Sequence, residues 1–461
     1  MHFNDLPLDV VLEILAHLGV PDIVRCRSVC KRLLYASHET ALWFSVYQKS
    51  KYLLPPIPPH ALCGRRLEFL IARASRIDKN WRPETTMRCV RRSFPHNLPT
   101  YEFVATVISG RYLQLAKGGG LSWYDLDSGD MSTPIMTYPC PIIVQNSDYV
   151  SHQTNADNEG HDTIWVSFVS AKPKRIVVLK ARFGKMPSVK LHLAIPARTV
   201  TCIKMAYDWL LPINEFSSRD DPIELIHIPS CSVVPVPMHS HIQSLTDLNN
   251  MRYIITPKHL FFLFAMREQT HIEVYPLPVL TPCRPWRSNR PLARSHSGLY
   301  LFAISSIHIV GQASNFPPTN DDTRVLFLAL VYVNRSRTSW TSKIGLHLFE
   351  AHLNSHGPGS LGLNLKCQRI LDIGIATTTL SLSANSDTCL AVTHSLPGPV
   401  VLAHSIRNLQ SSRPEMHVKA LKMPDRMQSR DMLTFDGVRG RLCLVSGWTR
   451  IEILDFDGYE I

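Results

Sequence analysis

Charge is thin in this 461-residue chain: acidic and basic residues together make up 19 %, against 45 % hydrophobic. That much apolar content excludes an intrinsically disordered chain and fits a globular one. Glycine is scarce beside proline, 21 against 33. Proline lacks an amide N–H and clashes inside a helix, so a helical bundle is excluded for most of the length. The opening Met1-His2-Phe3-Asn4-Asp5 has no basic stretch leading into an apolar core, and no secretory signal is expected. The longest apolar runs, residues 260–266 and 325–333, fall short of the roughly 20 residues that a membrane-spanning helix needs. The eleven cysteines show no close regular spacing, as expected of reduced thiols in a cytoplasmic and/or nuclear protein.

Signatures of bond chemistry are missing as well. There is no P-loop lysine motif and no G-x-S-x-G elbow. Gly357-Pro358-Gly359-Ser360-Leu361-Gly362 spells G-x-G-x-x-G, but residues 363–373 read as strand. A dinucleotide site needs a helix N-terminus there, so the segment is read as a loop. Among 21 histidines the closest pair is His239-x-His241, near Cys231, while Cys26 and Cys30 lack a matching second pair. Structural zinc needs four ligands in a tight frame. We therefore assign no catalytic, cofactor-binding or metal residue and expect no cofactor and no enzyme activity.

What is there begins with residues 1–50. Leu8, Val11, Leu12, Leu15 and Leu18 fall at helical spacing, widened by Val10 and Ile14. Asp5 is the expected N-cap, Pro7 sits in the first turn, Gly19 ends the helix and Pro21 opens another. Two further helices are expected at residues 31–37 and 40–47. So small a unit is marginal alone and gains from a partner. The blocks Leu6-Pro7-x-Asp9, Leu12-x-Ile14-Leu15-x-x-Leu18, Pro21-Asp22-Ile23, Val29-Cys30-Lys31-Arg32 and Leu42-Trp43 together resemble an F-box. That resemblance implies docking on the Skp-type adaptor of cullin–RING (SCF) ubiquitin ligases. It places Leu6, Pro7, Ile14, Val29, Cys30 and Leu33 at the adaptor, the family most often carrying tryptophan at the position of Leu33.

Residues 51–95 read as a connector. Pro55-Pro56-Ile57-Pro58-Pro59 is a stiff boundary, followed by a helical stripe of Leu67, Leu70, Ile71, Ala74, Ile77 and Trp81. Arg65, Arg66, Arg73, Arg76 and Lys79 lie largely off that stripe, and Arg88, Arg91 and Arg92 extend the basic character. With its Asn80-Trp81-Arg82 ending, the segment resembles the basic connector helix that follows the F-box in some fungal proteins. Its charge fits either an anionic contact or a solvated helix face.

In residues 96–461 the helical period disappears. Strand, tight turn, strand recurs: 112–116 with 121–126, 164–169 with 175–180, 260–265 with 270–275, 324–333 with 344–349, 389–392 with 400–405 and 441–445 with 450–456. A less clear unit covers residues 201–210 and 223–228. Seven units at a period near 50 residues predict a seven-bladed β-propeller, resembling degenerate WD-type blades, with a β-sandwich pair as the alternative. The expected whole is multidomain: a small all-α F-box at 1–50, a Pro-rich linker and basic connector helix at 51–95, and an all-β domain at 96–461. Within the latter, residues 283–294 form a basic, proline-rich loop. Its Arg284, Trp286, Arg287, Arg290 and Arg294 are candidate target-binding residues, because arginine forks bind phosphate; an insertion between blades is the alternative.

The function expected is a non-catalytic substrate receptor of an SCF ubiquitin ligase. Its expected partners are the Skp-type adaptor, through it the cullin and RING subunits, and an unidentified target protein. An adaptor-independent protein- or nucleic-acid-binding scaffold is the alternative, prompted by a net charge of +12. Residues 1–100 hold 15 basic against 8 acidic side chains, so +7 of that charge lies there. The β-region shows no dense basic stripe with stacking aromatics, which argues against nucleic acid.

Overall fold

The computed structural model describes residues 6–457 except for the following positions: 56–61, 96–102, 118, 129–130, 132, 143–149, 157–161, 185, 198–199, 207, 215–222, 237–251, 257, 267–268, 278–292, 298–303, 311–323, 334–342, 354–358, 372–378, 385–386, 396–399, 410, 422–431 and 447–449. His239, His241, Arg284, Trp286, Arg287 and Arg290 lie outside the described residues, as does Asp5.

Four short helices open the described chain: α1 (Leu8–Ala16), α2 (Val20–Cys26), α3 (Lys31–Ala36) and α4 (Thr40–Lys49). The residue capping α1 is Pro7, whose φ of −56° and ψ of 150° lead straight into the first turn, and not Asp5. Val11, Leu15, Ile23, Leu42 and Trp43 form the interior, each fully buried aliphatic side chain contributing about 1.5–3 kcal/mol. A longer helix, α5 (Gly64–Asn80), completes that interior with Leu67, Leu70 and Ile71. A side chain on Gly64 would meet Thr40 of α4, its Cβ coming within 2.8 Å of the threonine hydroxyl, so the two helices touch where α5 begins. At 1.5 Å per residue α5 is about 25 Å long. Its far end belongs to another core, where Ile77 and Trp81 pack with Leu53, Phe435, Leu442, Leu454 and Phe456.

The remaining described elements are strands, antiparallel with one exception and arranged radially. One four-stranded sheet comprises β2 (Phe103–Ile108), β3 (Tyr112–Lys117), β4 (Gly120–Asp125) and β5 (Met136–Pro139). The next comprises β6 (Val150–Ala156), β7 (Asp162–Ala171), β8 (Lys174–Arg182) and β9 (Ser188–Pro196). A third holds β10 (Val200–Ala206), β11 (Trp209–Asn214), β12 (Ile223–His227) and β13 (Ser232–Val236). An eight-stranded sheet follows. It contains the meander β14 (Arg252–Ile255), β15 (His259–Met266), β16 (Gln269–Pro276), β17 (Ala293–Ser297) and the meander β18 (Ile304–Val310), β19 (Arg324–Val333), β20 (Lys343–Leu353), β21 (Gly359–Leu371). The two meanders are paired to each other where β17 runs parallel to β21, at Ala293–Gly359 and Arg294–Ser360. A further four-stranded sheet holds β22 (Thr379–Ala384), β23 (Thr388–Ser395), β24 (Val400–Arg407) and β25 (Glu415–Leu421). The last combines β26 (Met432–Asp436), β27 (Arg441–Ser446) and β28 (Arg450–Asp455) with β1 (Val90–Pro95).

The leading strands of neighbouring sheets touch, β6 with β10, β18 with β22, and β22 and β2 with β26, as do those of the two meanders of the eight-stranded sheet, β14 with β18. This is a propeller arrangement, not a sandwich of two sheets. Five sheets are four-stranded blades, and the remaining strands form the single eight-stranded sheet, in place of the seven separate blades expected.

Four further expectations change. Residues 90–95, read as connector, are β1 and pair with β28 in register from Val90–Asp455 to Pro95–Arg450. The run 201–210 is two strands, turned at Asp208 with a φ of 67°. Gly359 and the following residues of the G-x-G-x-x-G segment begin β21, with Gly362 opposite His352, so these four residues are strand where a loop was expected. Arg294, placed in the basic loop, lies within β17 opposite Glu273.

Candidate docking surface of the helical module

Helix α1 is apolar on two sides. Val11 and Leu15 point inward and are buried, whereas Leu8, Val10, Ile14 and Leu18, just past its end, remain exposed. Val24 on α2, Val29 between α2 and α3, and Tyr35 on α3 are exposed as well, Val29 by 70 % and Tyr35 by 69 %. Thus seven of the eleven exposed large hydrophobics among the described residues fall between positions 8 and 35. Apolar surface concentrated in this way marks an interaction site, since single scattered residues are the norm elsewhere.

Of the residues assigned to the adaptor, Pro7, Ile14 and Val29 are exposed, while Leu6, Cys30 and Leu33 are half-buried. The Arg32 guanidinium donates to the Leu6 carbonyl, which ties the segment entering α1 to α3 and joins the first block of the sequence pattern to the fourth. Sequence reasoning assigned Leu8, Val10 and Leu18 to the helical stripe and passed over Val24 and Tyr35. The signal available was a helix too apolar all round for so small a unit.

Beneath this surface the geometry is held by polar groups that have partners. Buried Ser37 offers its carbonyl to the Trp43 indole N–H at 2.8 Å and to Arg27 at 3.2 Å. Arg27 also pairs with Glu68 of α5 at 2.8 Å. The Tyr47 hydroxyl donates to the Pro55 carbonyl at 2.5 Å, and burial pushes its pKa up to about 12.

The basic connector is occupied mainly by internal partners. Arg73 faces Asp457 at 3.5 Å, Arg91 pairs with Glu452 and Arg92 with Asp455. Burial and the neighbouring Arg439 lower the Arg73 pKa to about 10. Where the first and last sheets meet, Asp127 accepts from Arg439 at 2.7 Å and Arg441 at 2.8 Å. Burial opposes ionisation of Asp127, yet these two guanidiniums hold its pKa at about 2. Asp78 on α5 takes Arg407 of β24 at 2.8 Å. Arg65, Arg66, Lys79 and Arg88 stay exposed, so the solvated-face reading applies to part of the helix and the anionic contacts are carboxylates of this chain.

Among the described residues no cluster of three or more histidine, cysteine, aspartate or glutamate side chains is placed to hold a metal. Cys231 sits in a turn with its sulfur 3.6 Å from His192 Nε2. The candidate target-binding loop joins β16 to β17, and of its candidate residues Arg294 alone, within β17, lies among the described residues.

Residues 3–49 match the family model described as F-box-like. No curated protein matches the chain. Among solved structures, it is similar to the WD40 domain of SCAP from fission yeast, at 9 % identity and a TM-score of 0.38, covering 81 % of this chain and 96 % of that one. Drosophila Semaphorin 1b, extracellular domains 1-2, is 8 % identical with a TM-score of 0.41, covering 80 % and 87 %. TolB from Acinetobacter baumannii is 10 % identical with a TM-score of 0.32, covering 77 % and 78 %. With the family match falling on α1–α4 and the radial sheets behind them, the chain carries an N-terminal F-box-like domain followed by a β-rich region arranged like a propeller.

Proposed function

We propose that this chain is a substrate-recognition subunit of an SCF-type ubiquitin ligase, non-catalytic itself, acting in the cytoplasm or nucleus. The exposed apolar side chains between Leu8 and Tyr35 carry the reading, because they sit on a folded F-box-like module whose core α5 completes. On this reading Leu6, Pro7, Ile14, Val29, Cys30 and Leu33 meet a Skp-type adaptor, which brings the cullin and RING subunits. The β-region captures the target protein, its eight-stranded sheet acting as two blades of a seven-bladed ring. The chemistry asked of the chain is positioning. Tethering raises the effective concentration of target lysines near the ubiquitin-loaded enzyme, and a stiff spacer sets their distance. Helix α5, anchored in two cores, is that spacer.

The test is a pull-down of the full chain with a Skp-type adaptor beside the variant Ile14→Asp/Val29→Asp. Both side chains are exposed, so the variant should keep its fold by circular dichroism. Retention of the wild type and loss of the variant is the expected result. Failure of a well-folded wild type to bind would leave an adaptor-independent scaffold as the reading.

A further inference from the structure

Helix α5 ends nine residues before β1, and both of its ends are built into something else. Its first half supplies Leu67, Leu70 and Ile71 to the F-box-like core. Ile77 and the following Trp81 enter the core between the last two sheets, the Trp81 ring lying 5.3 Å from Phe435 and 5.8 Å from Phe456. The chain then turns back. Asn80 accepts from the Arg88 amide at 2.8 Å and donates to the Phe456 carbonyl at 2.9 Å, and residues 90–95 become the outermost strand on β28. Just past β28, Asp457 takes Arg73 and, through its carbonyl, Arg76 of α5.

We infer that closure of the propeller and rigid presentation of the F-box surface are a single conformational equilibrium, with α5 as the shared element. Opening the β1–β28 seam withdraws the partners of Asn80 and Arg73 and unseats Trp81. Helix α5 then loses its anchor, and the F-box interior, whose own helices run only six to ten residues, loses the fixed position of Leu67, Leu70 and Ile71. Short helices depend on tertiary packing for their stability. A ligand that tightens the last sheet therefore stiffens the F-box surface, and by linkage a protein docked on that surface protects β1 and β28.

Hydrogen–deuterium exchange on the full chain reads this directly, with β7 and β8 as the internal reference. In Trp81→Ala, amides of α1 and α4 should exchange faster by the same factor as those of β1 and β28, tenfold or more, while β7 and β8 stay unchanged. If Trp81→Ala also opens β7 and β8, the milder Asn80→Ala and Asp457→Asn variants give the same comparison with smaller factors. Acceleration confined to β1 and β28, with α1 and α4 at wild-type rates, would overturn the inference. So would an absence of change throughout all three variants.

Discussion

The Trp43 indole N–H and the Ser37 carbonyl meet at 2.8 Å inside the F-box-like module, whereas the equally buried Trp81 indole has no hydrogen-bond partner among the described residues. Phenylalanine in place of either tryptophan removes the donor and leaves a small cavity. At position 43 an accepting carbonyl also loses a bond worth about 1 kcal/mol. At position 81 the change removes a donor that gained nothing, which offsets part of the cavity term. Trp43→Phe should therefore cost about 1–2 kcal/mol more than Trp81→Phe. Urea denaturation followed by fluorescence of the remaining tryptophans measures the difference, and equal losses would refute the argument.

Gly440, in the turn between β26 and β27, has a φ of +61°, and a Cβ there would come within 2.9 Å of Ile77. Left-handed backbone costs an L-residue about 1–2 kcal/mol, and fully packed Ile77 has no room to yield. Gly440→Ala should destabilise by about 2–3 kcal/mol. Combining it with Ile77→Val should recover part of that loss, a coupling that a double-mutant cycle detects. Additive losses would show that backbone strain alone is responsible.

His404 on β24 is fully buried, with Nε2 2.7 Å from the Thr393 hydroxyl and Nδ1 without a partner among the described residues. Burial lowers its pKa from 6.5 to about 3. The unfolded chain thus binds a proton between pH 6.5 and 3 that the folded chain refuses, so stability falls as the pH drops through that window. At pH 5 the loss should be on the order of 2 kcal/mol relative to pH 7.5. His404→Gln should flatten that part of the stability–pH curve, although its stability at neutral pH will differ. A curve of unchanged slope would show that other groups set the acid response.

Local pattern made some of this architecture legible and long-range pairing hid the rest. The helical spacing of residues 8–18 and the breaks at Gly19 and Pro21 announce the first helices, because caps and periods are local. Periodicity could not say which apolar side of α1 faces inward, since Val11 and Ile14 are equally hydrophobic and only packing against α3 and α4 separates them. The turn at Asp208 escaped notice because no glycine or proline marks it, aspartate being among the few residues that tolerate positive φ. β1 escaped for a different reason. Val-Arg-Arg-Ser-Phe-Pro has little alternation, and its partner Arg450 lies at the other end of the sequence. Likewise the basic side chains of the connector gave their sign but not their partners, which sit on β28 and just beyond it.

That β1 closes the last sheet has a practical edge. A fragment beginning at residue 96 would contain every strand of the β-region but one, and would leave β28 bare along its six paired residues. Ile451 and Ile453, buried in the intact chain, flank that row of unpaired backbone groups. Such an edge is a template for strand addition. The fragment should self-associate through it, and supplying residues 90–95 again, even as a separate peptide, should return it to monomer.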